Sequence, residues 1–315
     1  MERIAEQIRK EASRLLDSGE VELVVGFKKG TIPMVNRPWF ARTPEEAKEF
    51  HWDGFCNLNL VNYLTKRKGK VAVVAKGCDS RSLVLHFQEH QITRDQVVIL
   101  GVPCHGMLDR RKLQRAAGKK EILDVAEKNG SVILRGKELE LVLPREEALQ
   151  HCCTICEHRN PVLADMVLAP EVEERKTDRF SDIAQIEAKE ARERWNFFRK
   201  ILSTCIRCYA CRNACPHCYC PECFVDCSRP QWVGKSQDPD DVFTFHLFRA
   251  FHMAGRCTDC GSCERACPMG IPVRLLTRKL EKEIKERWGY EVGLSLEGIP
   301  PLATYRPDDP QDFIM

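Results

Sequence analysis

Residues 3–16 place Ile4, Ile8, Ala12, Leu15 and Leu16 on one stripe at helical spacing, which predicts an amphipathic helix. Val21 to Phe27 follows as a valine-rich run ending at Gly26-Phe27-Lys28-Lys29-Gly30, the pattern of a strand and turn. Thr43-Pro44-Glu45-Glu46 has the form of a capping box with proline at the first helical position, so a short helix is expected there. Asn57 to Leu64 predicts another. Val71 to Ala75 and Val97 to Val102 are continuous apolar runs of strand length, as in strands buried on both faces. A helix from Lys76-Gly77-Cys78-Asp79-Ser80-Arg81 to about Glu89 lies between them, giving a βαβ unit with a mostly parallel sheet. Charged helices are expected over 109–128, then a hairpin of Ser131–Leu134 and Leu139–Leu143 around Gly136-Lys137.

The pattern changes after Met166. Glu171 to Asp182 is charged and weakly apolar, which suits a linker. From Ser181 a long helix is expected, packing through Ile183, Ile186, Trp195, Phe198 and Leu202. Asp238-Pro239-Asp240-Asp241 opens a later helix by capping and dipole preference, with Phe245, Leu247, Phe248 and Phe251 as core positions. A last helix runs from about Pro272 to Trp288. The resulting division is an α/β domain over 1–168, a linker over 169–182 and an all-α domain over 183–315.

At 315 residues the chain has room for two domains of about 150 residues each. No stretch approaches the roughly 20 apolar residues of a membrane span. Met1-Glu2-Arg3-Ile4 opens no signal-peptide h-region, so a cytoplasmic protein is expected. In that compartment 18 cysteines argue for metal ligation rather than disulfides. A net charge of +3, with signs well mixed, gives little support to nucleic-acid binding.

Two cysteine runs concentrate the chemistry. Cys205, Cys208, Cys211 and Cys215-Pro216 are matched by Cys257, Cys260, Cys263 and Cys267-Pro268. Each reads C-x2-C-x2-C-x3-C-P, the bacterial ferredoxin spacing for a 4Fe–4S cluster. Two-residue gaps turn three thiolates onto one face of a cubane. In two-cluster folds the fourth cysteine serves the other cluster, which groups Cys205, Cys208, Cys211 with Cys267, and Cys257, Cys260, Cys263 with Cys215. Structural zinc sites are the rival, since they also use paired C-x2-C. The 41 residues from 216 to 256 are too many for a compact small ferredoxin, so the clusters are expected between helices. Arg207, Arg212, Arg256 and Arg265 lie near the runs and would offset cluster charge.

Ten cysteines remain. Cys78 and Cys104 each follow a parallel strand, where open α/β sheets place ligands. With Cys153 and Cys156 they form a third candidate cluster; a zinc site from Cys153, Cys156 and His151 or His158 is equally compatible with the spacing. Cys218, Cys220, Cys223 and Cys227 form either a fourth metal site or thiols packed beside the first cluster. Cys56 and Cys152 have no assigned role, although Cys152 is an alternative to Cys153. The loop Gly77, Asp79, Ser80, Arg81 opens a helix and offers N–H groups to a phosphate; helix capping by Asp79 or Ser80 is the plainer reading. No G-x-G-x-x-G is present.

Lys76-Gly77-Cys78-Asp79, Gly101-Val102-Pro103-Cys104 and Cys153-Thr154-Ile155-Cys156 with Ala164-Asp165 resemble the β-subunit family of deazaflavin (F-420) reducing hydrogenases and formate dehydrogenases. The second half is similar to the two-cluster part of formate dehydrogenase β subunits and to the cluster subunit of heterodisulfide reductase. The resemblance implies a third 4Fe–4S cluster on Cys78, Cys104, Cys153 and Cys156, FAD, and catalytic or flavin-containing partner subunits. The sequence departs from the hydrogenase β subunits in having no ferredoxin motif before the α/β domain. No acid–base or nucleophile constellation stands out, so an electron-transfer subunit of an anaerobic oxidoreductase complex is expected. The contrasting reading is a zinc-stabilised scaffold or nucleic-acid-binding protein without redox activity.

Overall fold

The computed structural model describes residues 1–65 and 67–304. The last eleven residues of the expected all-α domain, 305–315, lie outside the described residues. The first helix, α1 (Glu2–Asp17), buries Ala5, Ile8, Ala12 and Leu15. It packs on a five-stranded sheet built from β1 (Leu23–Lys29), β2 (Asn36–Ala41), β3 (Val71–Ala75), β4 (Val97–Gly101) and β8 (Met166–Val167) in the order β2-β1-β3-β4-β8. All pairings are parallel except the edge pair β1–β2. Every residue of β3 and β4 is buried, as the unbroken apolar runs require. Thr43 caps α2 (Pro44–Ala47) by accepting from Glu46 N–H.

Four details differ from the sequence reading. The antiparallel β2 carries Pro38, which an edge strand tolerates. Residues 57–64 form a single tight 3-10 turn, Leu60–Tyr63, capped by Asn59. The charged stretch 109–128 holds α4 (Arg110–Ala117) and then a strand, β5 (Asp124–Lys128). Asn129 and Gly130, both at positive φ, turn β5 into β6 (Ser131–Gly136), which pairs with β7 (Leu139–Pro144) in a second, antiparallel sheet. Finally, the long helix from Ser181 is two helices, α7 (Ser181–Glu187) and α8 (Ala191–Leu202). Glu190 is extended at the break, and Arg194 closes it by donating to the carbonyls of Glu187 and Lys189.

Short helices α5 (Arg145–Ala148), α6 (His151–Thr154) and α9 (Ala210–Asn213) carry the cysteine loops, with α10 (Pro239–Phe251), α11 (Ser262–Ala266) and α12 (Arg274–Trp288) completing the second half. Asp238 caps α10 as expected. Phe245 is buried there, but Phe248 and Phe251 are half exposed rather than core.

The two halves meet on α3 (Gly77–Gln88), whose first ten residues are buried except Cys78. Its polar residues face the cysteine-rich half: Arg81 donates to Val292 O, Ser82 Oγ lies 3.1 Å from Thr258 Oγ1, and His86 Nε2 lies 2.9 Å from Pro216 O. The segment expected as a linker is held down. Arg175 donates to Thr154 O, Thr177 to Ile155 O, and buried Arg179 pairs with Glu281 and Glu291.

Candidate metal centre

Each ferredoxin run begins by reversing the chain at residues with positive φ. Arg207 and Tyr209 lie in the left-handed region in the first run, and Asp259 and Gly261 in the second. These turns aim the thiols inward. Cys205, Cys208 and Cys211 line one cavity together with Cys267 from the other run, among Phe245, His246, Ile271 and Val273. Burial pushes the Cys211 thiol up to about 11. His246 Nε2 lies 3.4 Å from Cys205 Sγ. Cys208 is exposed, so this site reaches the surface.

Cys215, Cys257, Cys260 and Cys263 form the second neighbourhood. Cys263 is pushed up to about 12 by burial, opposed by Arg249, with Cys215 and Cys260 adding to the rise. Cys257 is raised by burial and by Glu281 and Asp259.

The third neighbourhood lies beyond the ends of β3 and β4. One cavity is lined by Cys78, Cys104, Cys153 and Cys156, and also by Cys152 and Cys260. Met107 N–H donates to Cys153 Sγ and Gly106 N–H to Cys104 Sγ, both at 3.3 Å. Burial pushes Cys104 up to about 11. Thiols held protonated in this way must lose protons when a metal binds.

Donor spacing tests the fit. A tetrahedral zinc with Zn–S of about 2.3 Å needs sulfurs roughly 3.8 Å apart. Among the described residues, the one set of three His, Cys, Asp or Glu ligand atoms within 4.8 Å of one another is Cys257, Asp259 and Glu281. Its carboxylates already pair with arginines, Asp259 with Arg274 and Arg278, and Glu281 with Arg179. The three cysteine sets are thus not drawn together to the spacing of a zinc site.

The loop Gly77–Arg81 does not offer its groups outward. Asp79 accepts from Lys76 N–H at 3.0 Å and from Lys76 Nζ at 2.7 Å, entirely buried. Ser80 Oγ donates to Gly77 O and accepts from Val162 N–H. Arg81 is committed to Val292 O and Glu291. A Cβ on Gly77 would stand 2.3 Å from His158 O, so the chain at 158–160 already covers this helix end. The side chains of Asp79, Ser80 and Arg81 are thus engaged in capping and packing, while Gly77 and Arg81 also line the cavity of the Cys78 set.

Cys218, Cys220, Cys223 and Cys227 do not draw together: Cys218 hydrogen-bonds Cys215, Cys220 is exposed, and Cys227 Sγ faces Cys223 O at 3.6 Å. Two residues, Arg249 and Gly261, escaped the sequence reading, which named Cys152 only as an alternative to Cys153. Arg249 is buried on α10 with the thiols of Cys263, Cys215 and Cys211 in electrostatic reach. Cys152 is buried 3.8 Å from both Cys153 Sγ and Cys260 O. Gly261 makes room for it, because a Cβ there would lie 2.5 Å from Cys152 Sγ. The left-handed glycine between two ligand cysteines was the available signal for that close approach.

No family model matches the chain. Over 353 aligned positions, covering 91% of both chains, it is 26% identical to "F420-dependent formate dehydrogenase subunit beta" of Methanocaldococcus jannaschii. It is also 26% identical to "F420-dependent formate dehydrogenase 1 subunit beta" of Methanococcus maripaludis, covering 92% of this chain and 90% of the relative. Among solved structures it is similar to a chain of the F420-reducing NiFe hydrogenase complex from Methanosarcina barkeri, at 17% identity and a TM-score of 0.37, over 49% of this chain and 63% of that one. The chain thus resembles formate dehydrogenase β subunits along nine-tenths of its length. No described helix is long and apolar enough to cross a membrane.

Proposed function

We propose that the chain is the cytoplasmic iron–sulfur electron-transfer subunit of an anaerobic oxidoreductase complex, of the formate dehydrogenase, hydrogenase or heterodisulfide reductase type. The observation that carries this reading is the return of Cys267 into the cavity of Cys205, Cys208 and Cys211, which the crossover of a two-cluster ferredoxin would require. The likeness to two formate dehydrogenase β subunits over nine-tenths of the chain supports it.

Bound in the three thiol sets, 4Fe–4S clusters would supply one-electron carriers. The chain's part is to hold those sets in file. The Cys78 set adjoins the Cys257 set across Cys152, Gly261 and Arg265, and the Cys257 set adjoins the Cys205 set across Arg249. Exposed Cys208, with Ile206 and Met269 also at the surface, opens one end of the file to a partner subunit. We assign substrate turnover to partner subunits, and the flavin assay below tests whether this chain carries the FAD implied by the family.

Anaerobic purification with assays for iron, acid-labile sulfide, zinc and flavin tests the reading. About twelve iron and twelve sulfide per chain are expected from three four-iron clusters. About eight iron with one zinc would remove the third cluster. A colourless zinc protein would overturn the proposal.

A further inference from the structure

Resting on that reading, we infer that Arg249 and Arg265 are the charge spacers of the relay, each standing between two neighbouring cysteine sets and raising the reduction potentials of both. Arg249 lies on the buried face of α10, 4% exposed. Its Nη2 donates to Cys211 O at 3.2 Å, its Nε has no partner, and the thiols of Cys263, Cys215 and Cys211 lie in electrostatic reach. It therefore borders both the Cys205 and the Cys257 sets. Arg265, on α11, lines the cavity of the Cys78 set. Its Nη1 donates to Gln150 Oε1 at 2.7 Å and Cys260 O at 2.8 Å, and its Nη2 to Ser262 Oγ at 2.9 Å. Its buried Nε has no partner, and the thiols of Cys152, Cys260, Cys153 and Cys78 surround it electrostatically.

Among the described residues, no carboxylate lies within 4.0 Å of either guanidinium. The other arginines near the runs differ: Arg212 pairs with Asp226, Arg256 with Glu89, and Arg207 donates to Gly234 and Ser236 carbonyls. A guanidinium removed from water without a counter-ion is costly. The anions on hand at these two positions are thiolates. Four thiolates leave an iron–sulfur cluster net negative, and reduction adds one more negative charge. A fixed cation beside it favours the reduced form, and a cation shared by two sets acts on both.

The test is a dithionite redox titration of the anaerobic full-length protein, followed by electron paramagnetic resonance, in wild type and in Arg249→Gln, Arg249→Lys, Arg265→Gln and Arg265→Lys. Iron and sulfide are counted first, so failure of the cluster reading shows in the wild type, independently of any potential. Arg249→Gln is expected to shift the reduced-to-oxidised ratio of the Cys205 and Cys257 sets at least tenfold towards oxidised, about 59 mV for a one-electron couple, and to leave the Cys78 set in place. Arg265→Gln should move the Cys257 and Cys78 sets and leave the Cys205 set. The Lys variants should restore the potentials. Unchanged potentials, a shift confined to one set, or an equal shift of all three would overturn the inference. If a Gln variant assembles no clusters, iron retained by the matching Lys variant supports the charge role. Iron lost from both overturns it.

Discussion

Replacing Glu291 by Gln should loosen the joint between the two halves. Three cations and a histidine converge on this carboxylate from four places in the chain: His158 at 2.6 Å, Arg179 at 2.6 Å, Lys285 at 3.0 Å and Arg81 at 3.6 Å. At an effective dielectric of about 20, each of the closest contacts is worth roughly 6 kcal/mol gross, most of it offset by desolvation. Breaking a buried pair by removing one partner costs about 3–5 kcal/mol. The side chain is still 13% exposed, which favours the low end, about 3 kcal/mol. Unfolding entropy of roughly 2 cal/mol/K per residue then puts the loss near 5 °C in Tm. Burial works against ionisation of Glu291, but the His158 hydrogen bond with Arg81, Arg179 and Lys285 holds its carboxyl well below the ordinary 4.5. A depressed folded-state value means the stabilisation is fully present above that unfolded value and lost only as pH falls towards the folded one. The wild-type-minus-variant gap should therefore stay constant from about pH 5 to 8. Anaerobic thermal unfolding followed by circular dichroism measures it, with Glu286→Gln, an exposed helix pair, as a control shifting less than about 1 °C. A Glu291→Gln variant within 1 °C of wild type, or a gap that closes between pH 8 and 5, would refute the reasoning.

Replacing Cys215 by Ser should abolish the resonance signal of the Cys257, Cys260, Cys263 site and spare the Cys205 site; loss confined to the Cys205 site would contradict the crossover. Replacing Cys152 by Ser should leave iron near twelve, because Cys78, Cys104, Cys153 and Cys156 still line that cavity; a loss of about four would make Cys152 a ligand in place of Cys153. Gly261→Ala, at φ +73° and with its Cβ 2.5 Å from Cys152 Sγ, should cost more than the roughly 1–2 kcal/mol of left-handed backbone strain, and Cys152→Ala should recover the excess. Denaturant titration of both and of the double variant checks it. Native mass spectrometry from the source cell should find the chain in a larger assembly, whereas a sole monomer with full NAD- or deazaflavin-linked activity would sink the complex.

Local signals proved legible and non-local ones did not. Val71–Ala75 was readable because five consecutive apolar residues suit a strand covered on both faces. The same habit hid β5, whose composition is charged; its mark was the Asn129-Gly130 turn, a hairpin signal carried by backbone geometry rather than hydropathy. Cysteine spacing is a local signal of the same kind, because a cubane would impose its geometry on neighbouring residues. Nothing local announces that Glu281, on α12, approaches Cys257, or that residues 158–160 close over the start of α3. For the Gly77 loop, sequence shows donors without showing what already faces them.

The 41 residues between the two runs have a physical use that their length alone does not disclose. They carry α10, whose buried positions Val242, Phe245, His246, Arg249 and Ala250 fall at i, i+3, i+4, i+7 and i+8. An ordinary core helix would fill such a stripe with Leu and Ile. Here two of the five positions are a guanidinium and an imidazole, and Phe248 and Phe251 are left on the exposed side. Burial pulls His246 down to about 4, so at neutral pH it is an uncharged ring whose Nε2 lies 3.4 Å from Cys205 Sγ. Arg249 brings the charge that His246 lacks, and brings it where Cys211 of one set approaches Cys215 and Cys263 of the other. A buried stripe that breaks the apolar rule at two positions is where a functional site is to be sought. On the proposed cluster reading, an uncharged imidazole at one position and a positive charge at the other suit α10 to face cysteine sulfur rather than hydrocarbon.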